Sequence, residues 1–165
     1  MFGIRALIAK NYIDNLTEEV DKGNKEKLRL GEYPHQAPLG YLNAKDPITK
    51  KSIIIIDDKN KHLIQTIFNV YTTGQYSLKS IVQYVEDLKL TKDLPIGRCE
   101  LKKSVMSRML HNPFYVSKFM WQDKLYEGKH TPIVELDMWQ TVQDVLNSKK
   151  LNTCQATLTD VVTRI

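Results

Sequence analysis

Between Glu32 and Tyr41 the chain reads Glu-Tyr-Pro-His-Gln-Ala-Pro-Leu-Gly-Tyr, with two prolines and a glycine inside seven residues. Proline fixes φ and lacks the amide hydrogen that a helix interior or a central strand requires. The stretch therefore reads as an extended linker, and it divides the chain into an N-terminal arm and a later domain. In the arm, Ile4, Ile8, Tyr12, Leu16 and Val20 recur every four positions, with Ile13 supporting the same stripe. Asn11, Asp14, Asn15, Glu18, Glu19 and Lys22 fill the gaps. This spacing predicts a helix over 1–31, continued past Gly23 by Leu28 and stopped at Gly31. At the usual rise, such a helix is about 45 Å long. It either projects toward a partner helix, a second copy included, or packs on its own domain.

After the linker, placed at 32–44, residues 45–150 are expected to form one domain. Asp46-Pro47 marks a turn, and the β-branched run Ser52–Ile56 predicts a short buried strand. Three helices are expected next. The first covers 60–73, with Leu63, Ile64, Ile67, Phe68 and Tyr71 on one face. The second covers 78–89, with Leu78, Ile81, Val82, Val85 and Leu88 at helical spacing and Ser77 as its N-cap. The third covers 101–110, with Leu101, Val105 and Met109 inward and Leu110 alongside. A loop is expected at Thr91–Gly97. Asn112-Pro113 ends the third helix, Tyr115–Tyr126 predicts a β-hairpin turning at Gln122-Asp123, and 136–149 predicts a last helix. The polar, Thr-rich stretch 151–165 is expected to lack regular structure. The fold class is α+β: a helix-turn-helix-like bundle with a short strand and a β-hairpin, preceded by a long helical arm.

Composition narrows the function. Of 165 residues, 42% are apolar and 26% charged, the balance of a folded domain rather than a disordered chain. Cys99 and Cys154 lie far apart and form no CxxC pair, and His35, His62, His111 and His130 are scattered, so no metal or cofactor is expected. The same cysteine usage favours a reducing, intracellular setting. No secretory leader is read at the N-terminus, and no apolar run approaches bilayer length. No Gly-rich phosphate loop, HExxH or GxSxG is present, so the chain is not read as an enzyme in itself. Asp57-Asp58 reads as a strand end, and Trp121, Trp139, His62 and His130 as packing or surface residues.

The charge is modest overall, 24 basic against 19 acidic residues, but it is clustered. Arg98, Lys102, Lys103, Arg108, Lys118 and Lys124 face only Glu100 and Asp123 in the same stretch. Clustered cations gain by displacing counterions from a phosphate backbone, and Ser and Arg on one helix face suit the edges of bases in a major groove. Lys102, Lys103, Ser104, Ser107 and Arg108 are therefore the candidate groove contacts. Lys25, Arg29, Tyr33, Lys118 and Lys124 are secondary candidates for contacts to backbone or along the linker, which would follow the adjacent minor groove. The plainer alternative is a solvated basic face. Two other readings stay open: a helix-turn-helix transcriptional regulator whose arm dimerises, and a protein-interaction module.

Several pieces in order carry a family resemblance. Ala9-Lys-Asn-Tyr-Ile-Asp-Asn-Leu-Thr-Glu-Glu-Val20 with Lys22-Gly23 resembles the long helix that leaves the catalytic domain of large serine recombinases. Gly31-Glu-Tyr-Pro34 and Ala37-Pro-Leu-Gly-Tyr41 resemble their interdomain linker. Ile67-Phe68, Tyr71, Gly74, Ser77-Leu78, Ile81, Leu110-His-Asn-Pro-Phe-Tyr115, His130-Thr-Pro-Ile-Val134, Trp139 and Val142-Gln143 resemble their recombinase domain. The resemblance covers about residues 1–150. It implies double-stranded DNA as partner and a bacterial, cytoplasmic, DNA-associated setting. The parent activity it implies is integration or excision of a mobile element. In that family a serine of an N-terminal domain attacks the phosphodiester. The resemblance places that domain, and a zinc ribbon with paired cysteines, outside this sequence, so no catalytic residue is assigned. Ser77, Ser104 and Ser107 are not read as nucleophiles.

Overall fold

The computed structural model describes residues 2–88, 90 and 101–162, with side chains described from Ile8 to Lys149. The expected loop at 91–97, Arg98, Cys99 and Glu100 lie outside the described residues, as do the side chains of Ile4 and Cys154.

Helix α1 spans Phe2–Arg29. Its end follows from Gly31, whose φ of +70° is open to a residue without Cβ. There the Glu32 amide bonds back to the Lys27 carbonyl at 2.8 Å and the Gly31 amide to Leu28 at 3.0 Å, the paired bonds of a Schellman turn. Leu28 is the first described side chain of the arm to enter the core, whereas Ile8, Tyr12, Ile13, Leu16 and Val20 are all exposed.

The chain then forms a hairpin of β1 (Tyr41–Lys45) and β2 (Ser52–Ile56), antiparallel with Tyr41 opposite Ile56. Two expectations are corrected here. The segment 41–44, read as linker, lies wholly within strand β1. Only Tyr41 in Tyr-Leu-Asn-Ala-Lys favours a strand, so the strand is made by its partner more than by its own propensity. The Ile run is not buried: Ile53 and Ile55 are exposed, and Ile54 and Ile56 only pack against the edge of the core. A two-stranded sheet has one face on the core and one in water, and β-branched residues suit either.

Helix α2 (Asp58–Thr72) begins where Asp57 accepts from the Lys59 amide, so this carboxylate caps a helix as well as ending a strand. Its buried face is Leu63, Ile64, Ile67, Phe68 and Tyr71, as the periodicity predicts. Helix α3 (Leu78–Asp87) is capped by Ser77, which accepts from the Ser80 amide at 3.1 Å, and buries Ile81 and Val85. Helix α4 (Lys103–His111) packs on α3 and buries Met106, Met109 and Leu110. Val105, expected inward, is only half-buried: Leu101, which set the expected stripe with it, precedes the helix, and the buried face is Met106, Met109 and Leu110.

After α4 the expected hairpin is preceded by a 3-10 turn, Pro113–Val116. Asn112 caps it by accepting from the Phe114 amide at 3.0 Å, and Ser117, at φ +60°, ends it. Strands β3 (Lys118–Trp121) and β4 (Lys124–Glu127) follow. They turn at Gln122 and Asp123, both at positive φ, as a two-residue hairpin of type I′ demands. Helix α5 spans Leu136–Val162. It runs through most of the segment expected to lack structure, because no proline or glycine follows Pro132 to stop it. Alongside α2, α5 contributes Val142 and Leu146 to the single core, where Phe68, Tyr115, Phe114 and Phe119 are fully enclosed.

Candidate nucleic-acid interface

The core residues of α4 recur at 106, 109 and 110, which leaves its other side to solvent. Lys102, Lys103, Ser104 and Arg108 are exposed there and Ser107 is half-exposed. The five primary candidates thus share one short helix and its N-cap. The electrostatics of its start are unusual. Lys102 occupies the N-cap with no side-chain cap bond, Lys103 follows, and the first turn holds no acidic residue. A helix N-terminus carries partial positive charge and is stabilised by carboxylates. Two lysines there oppose that preference, and the exposed Lys103 can meet an approaching anion. Two ion pairs join described side chains, Lys22–Glu18 and Arg29–Glu26, both within α1. Lys103 and Arg108 therefore have no carboxylate partner among the described residues.

One side of α4 also forms the wall of an open groove of about 620 Å³. Lys103, Ser107 and His111, spaced by four, line it from α4. Ser77, Leu78 and Lys79 line it from the start of α3, and Asn147 and Lys149 from α5. His111 is tied to its own helix, with Nδ1 2.7 Å from the Ser107 carbonyl oxygen. The Lys149 ammonium donates to the Tyr76 carbonyl oxygen at 2.6 Å and lies 5.0 Å from the Tyr71 ring centre, which pins α5 to the end of α2. Lys79, His111 and Lys149 are absent from the sequence-derived candidates. Each is a single polar residue on a helix in the sequence, and only the packing of α3, α4 and α5 brings them to one groove.

The secondary candidates lie elsewhere. Lys118 and Lys124 sit on the β3–β4 hairpin, opposite Glu127 and Trp121 respectively. Lys25 and Arg29 are exposed on α1. Arg29 is engaged by Glu26 through two bonds, Nε to Oε2 at 3.0 Å and Nη2 to Oε1 at 2.9 Å. This hydrogen-bonded pairing holds the Arg29 pKa up and the Glu26 pKa down. Tyr33 is half-buried, its ring edge-on to Phe114 at 5.0 Å and to Phe119 at 5.2 Å. Burial raises the pKa of its hydroxyl. The linker is thus docked on the domain through Tyr33, and His35 extends that contact to Trp121 at 4.7 Å.

Among the described residues no cluster of three or more His, Cys, Asp or Glu side chains is placed to hold a metal ion. No helix among them is long and apolar enough to cross a membrane.

Comparison with known proteins adds three findings. A comparison with curated proteins gives no match. Two solved structures share the fold. The first, a crystal structure of an LSR–DNA complex, superposes with a TM-score of 0.60 at 19% identity, over 78% of this chain and 39% of that one. The second comes from work on the sequence requirements of the Listeria innocua prophage attP site. It superposes with a TM-score of 0.59 at 18% identity, over 78% of this chain and 51% of that one. The chain therefore spans about two fifths to one half of the length of these proteins. The Recombinase family model matches residues 58–149, from the start of α2 into α5 and more than half of the chain. This match bears out the resemblance carried by the ordered motifs, and the chain belongs to the recombinase family.

Proposed function

We propose that this chain binds double-stranded DNA in a sequence-specific manner, as the DNA-binding domain of a site-specific serine recombinase acting on a mobile element. The observation that carries the reading is the exposed face of α4. It sets Lys102, Lys103, Ser104 and Arg108 toward solvent, opens with two cations where a helix prefers anions, and rests on α3 and α5 as a platform. A helix presented in this way fits a major groove, with Arg108 able to meet guanine through two hydrogen bonds and Ser104 able to meet several base edges. The linker, docked through Tyr33, would lie along the neighbouring minor groove. Lys118 and Lys124 on the hairpin, and Lys25 on the arm, would add contacts to phosphates. The exposed apolar stripe of α1 would pair with a second copy. Strand cleavage and rejoining, in the integrative or excisive sense, belong to the whole protein, with its serine on another domain.

Titrating salt against duplex binding by the full chain tests the reading. Phosphate contacts predict a linear fall of log affinity with log salt. Absence of binding even at low salt would refute it and favour a protein-interaction module.

A further inference from the structure

The exposed side of α4 is not one surface. Lys103, Ser107 and His111 form the stripe that lines the groove shared with α3 and α5, whereas Ser104 and Arg108 lie on the next stripe round the helix and do not line it. The two stripes differ in their surroundings. The groove stripe is joined by Lys79 from α3 and Lys149 from α5, and among the described residues no carboxylate lines it. Lys79 and Lys103 are both exposed, and neither forms an ion pair among the described residues. The lining mixes Leu78, Leu146 and Tyr71 with the polar groups of Ser77, Ser107 and Asn147. An open, cationic groove of about 620 Å³ with hydroxyl and amide groups among its walls suits a strand of sugar and phosphate.

We propose that this groove seats the sugar–phosphate backbone of one DNA strand, gripped by Lys79 and Lys103, and that Ser104 and Arg108 alone face the bases. The inference rests on the DNA-binding reading above and divides its candidate residues into two roles. Lys103 and Ser107, expected at base edges, become positioning residues for the duplex, and Lys79 joins them. Phosphate contacts of this kind set the register of a reading helix without carrying sequence information. Lys149 stays with Tyr76 and Tyr71 and holds the wall of the groove.

The test uses the full chain, a duplex selected by it from a random-sequence pool, and a random duplex of the same length. Lys79→Gln and Lys103→Gln, both at exposed positions, are measured against wild type over a series of KCl concentrations. Each variant should lose affinity by the same factor on both duplexes and lower the salt slope by about 0.9. Lys79→Arg should restore the slope. Arg108→Ala should lose more on the selected duplex than on the random one. If wild type binds with a steep salt slope and Lys79→Gln leaves that slope unchanged, the groove assignment is overturned and the DNA reading stands. A larger loss on the selected duplex for Lys79→Gln also overturns it. Failure of wild type to bind either duplex overturns the DNA reading itself.

Discussion

The imidazole of His130 lies flat on the ring of Phe114, with 3.8 Å between centroids and 11° between planes, and its Nε2 sits 2.7 Å from the Phe114 carbonyl oxygen. One residue thus stacks on another and bonds to its backbone. The contact ties the loop after β4 to the 3-10 turn after α4. Ser117 reinforces it with its single hydroxyl proton, shared between the carbonyl oxygens of Gly128 at 2.8 Å and His130 at 2.6 Å. The proposed reading helix runs into this knot through Asn112, so the knot anchors the C-terminal end of α4.

The knot should make stability depend on pH. Burial disfavours the imidazolium and holds the His130 pKa below its ordinary 6.5, against the smaller opposing effect of the bond to Phe114. As pH falls, the unfolded chain takes up the proton first. The contribution is therefore complete above about pH 6.5 and declines below it. Thermal melts between pH 7.5 and 5 should show a falling midpoint, and His130→Gln should flatten that dependence. An identical slope in the variant would contradict the assignment.

Gly128 leaves the space in which the ring sits. A Cβ there would lie 2.5 Å from both Cε1 and Nδ1 of His130. Gly128→Ala should cost about 1–3 kcal/mol through overpacking. In a His130→Ala background the same change should cost much less. A denaturant double-mutant cycle measures this coupling, and additive effects would refute it.

Tyr41 joins the first hairpin to the same region. Its hydroxyl donates to the Thr131 carbonyl at 3.0 Å and accepts from the Ile133 amide at 3.1 Å. The Ile133 amide also bonds to the Tyr115 carbonyl, so losing the hydroxyl does not orphan it. Tyr41→Phe should cost about 0.5–1.5 kcal/mol, and Tyr41→Ala about 3–5 kcal/mol by also opening the core. Equilibrium urea unfolding separates the two. Equal losses would show that the hydroxyl, not the ring, carries the site.

Tyr33 separates packing from recognition in the linker. Its ring meets Phe114 and Phe119 edge-on, so Tyr33→Ala should lose about 1–3 kcal/mol of stability. Tyr33→Phe keeps both ring contacts and should retain wild-type stability and duplex affinity. A stable Tyr33→Phe that binds DNA more weakly would instead place the hydroxyl on the nucleic acid.

Local chemistry was legible wherever one residue or one period decides the outcome. Gly31 ends α1, Ser77 caps α3, Gln122-Asp123 turns the hairpin, and the stripe from Leu63 to Tyr71 faces the core. What a distant partner decides was hidden. β1 exists because β2 pairs with it. His130 is buried because Phe114 and Gly128 receive its ring, whereas a lone histidine in a loop gives no such signal. The site shows the same division. The basic face of α4 follows from its own period, but its two stripes, and the place of Lys79 beside one of them, emerge only from the packing of α3 and α5.

The central claim is that the exposed side of α4 reads a DNA duplex. Its most direct test is the affinity of wild type and Arg108→Ala for a duplex selected from a random pool and for random duplex at fixed salt. The account predicts a discrete selected motif, a loss of about 1–3 kcal/mol for Arg108→Ala on it, and relaxed preference at one base pair. Equal losses on both duplexes, or no motif at all, would contradict it.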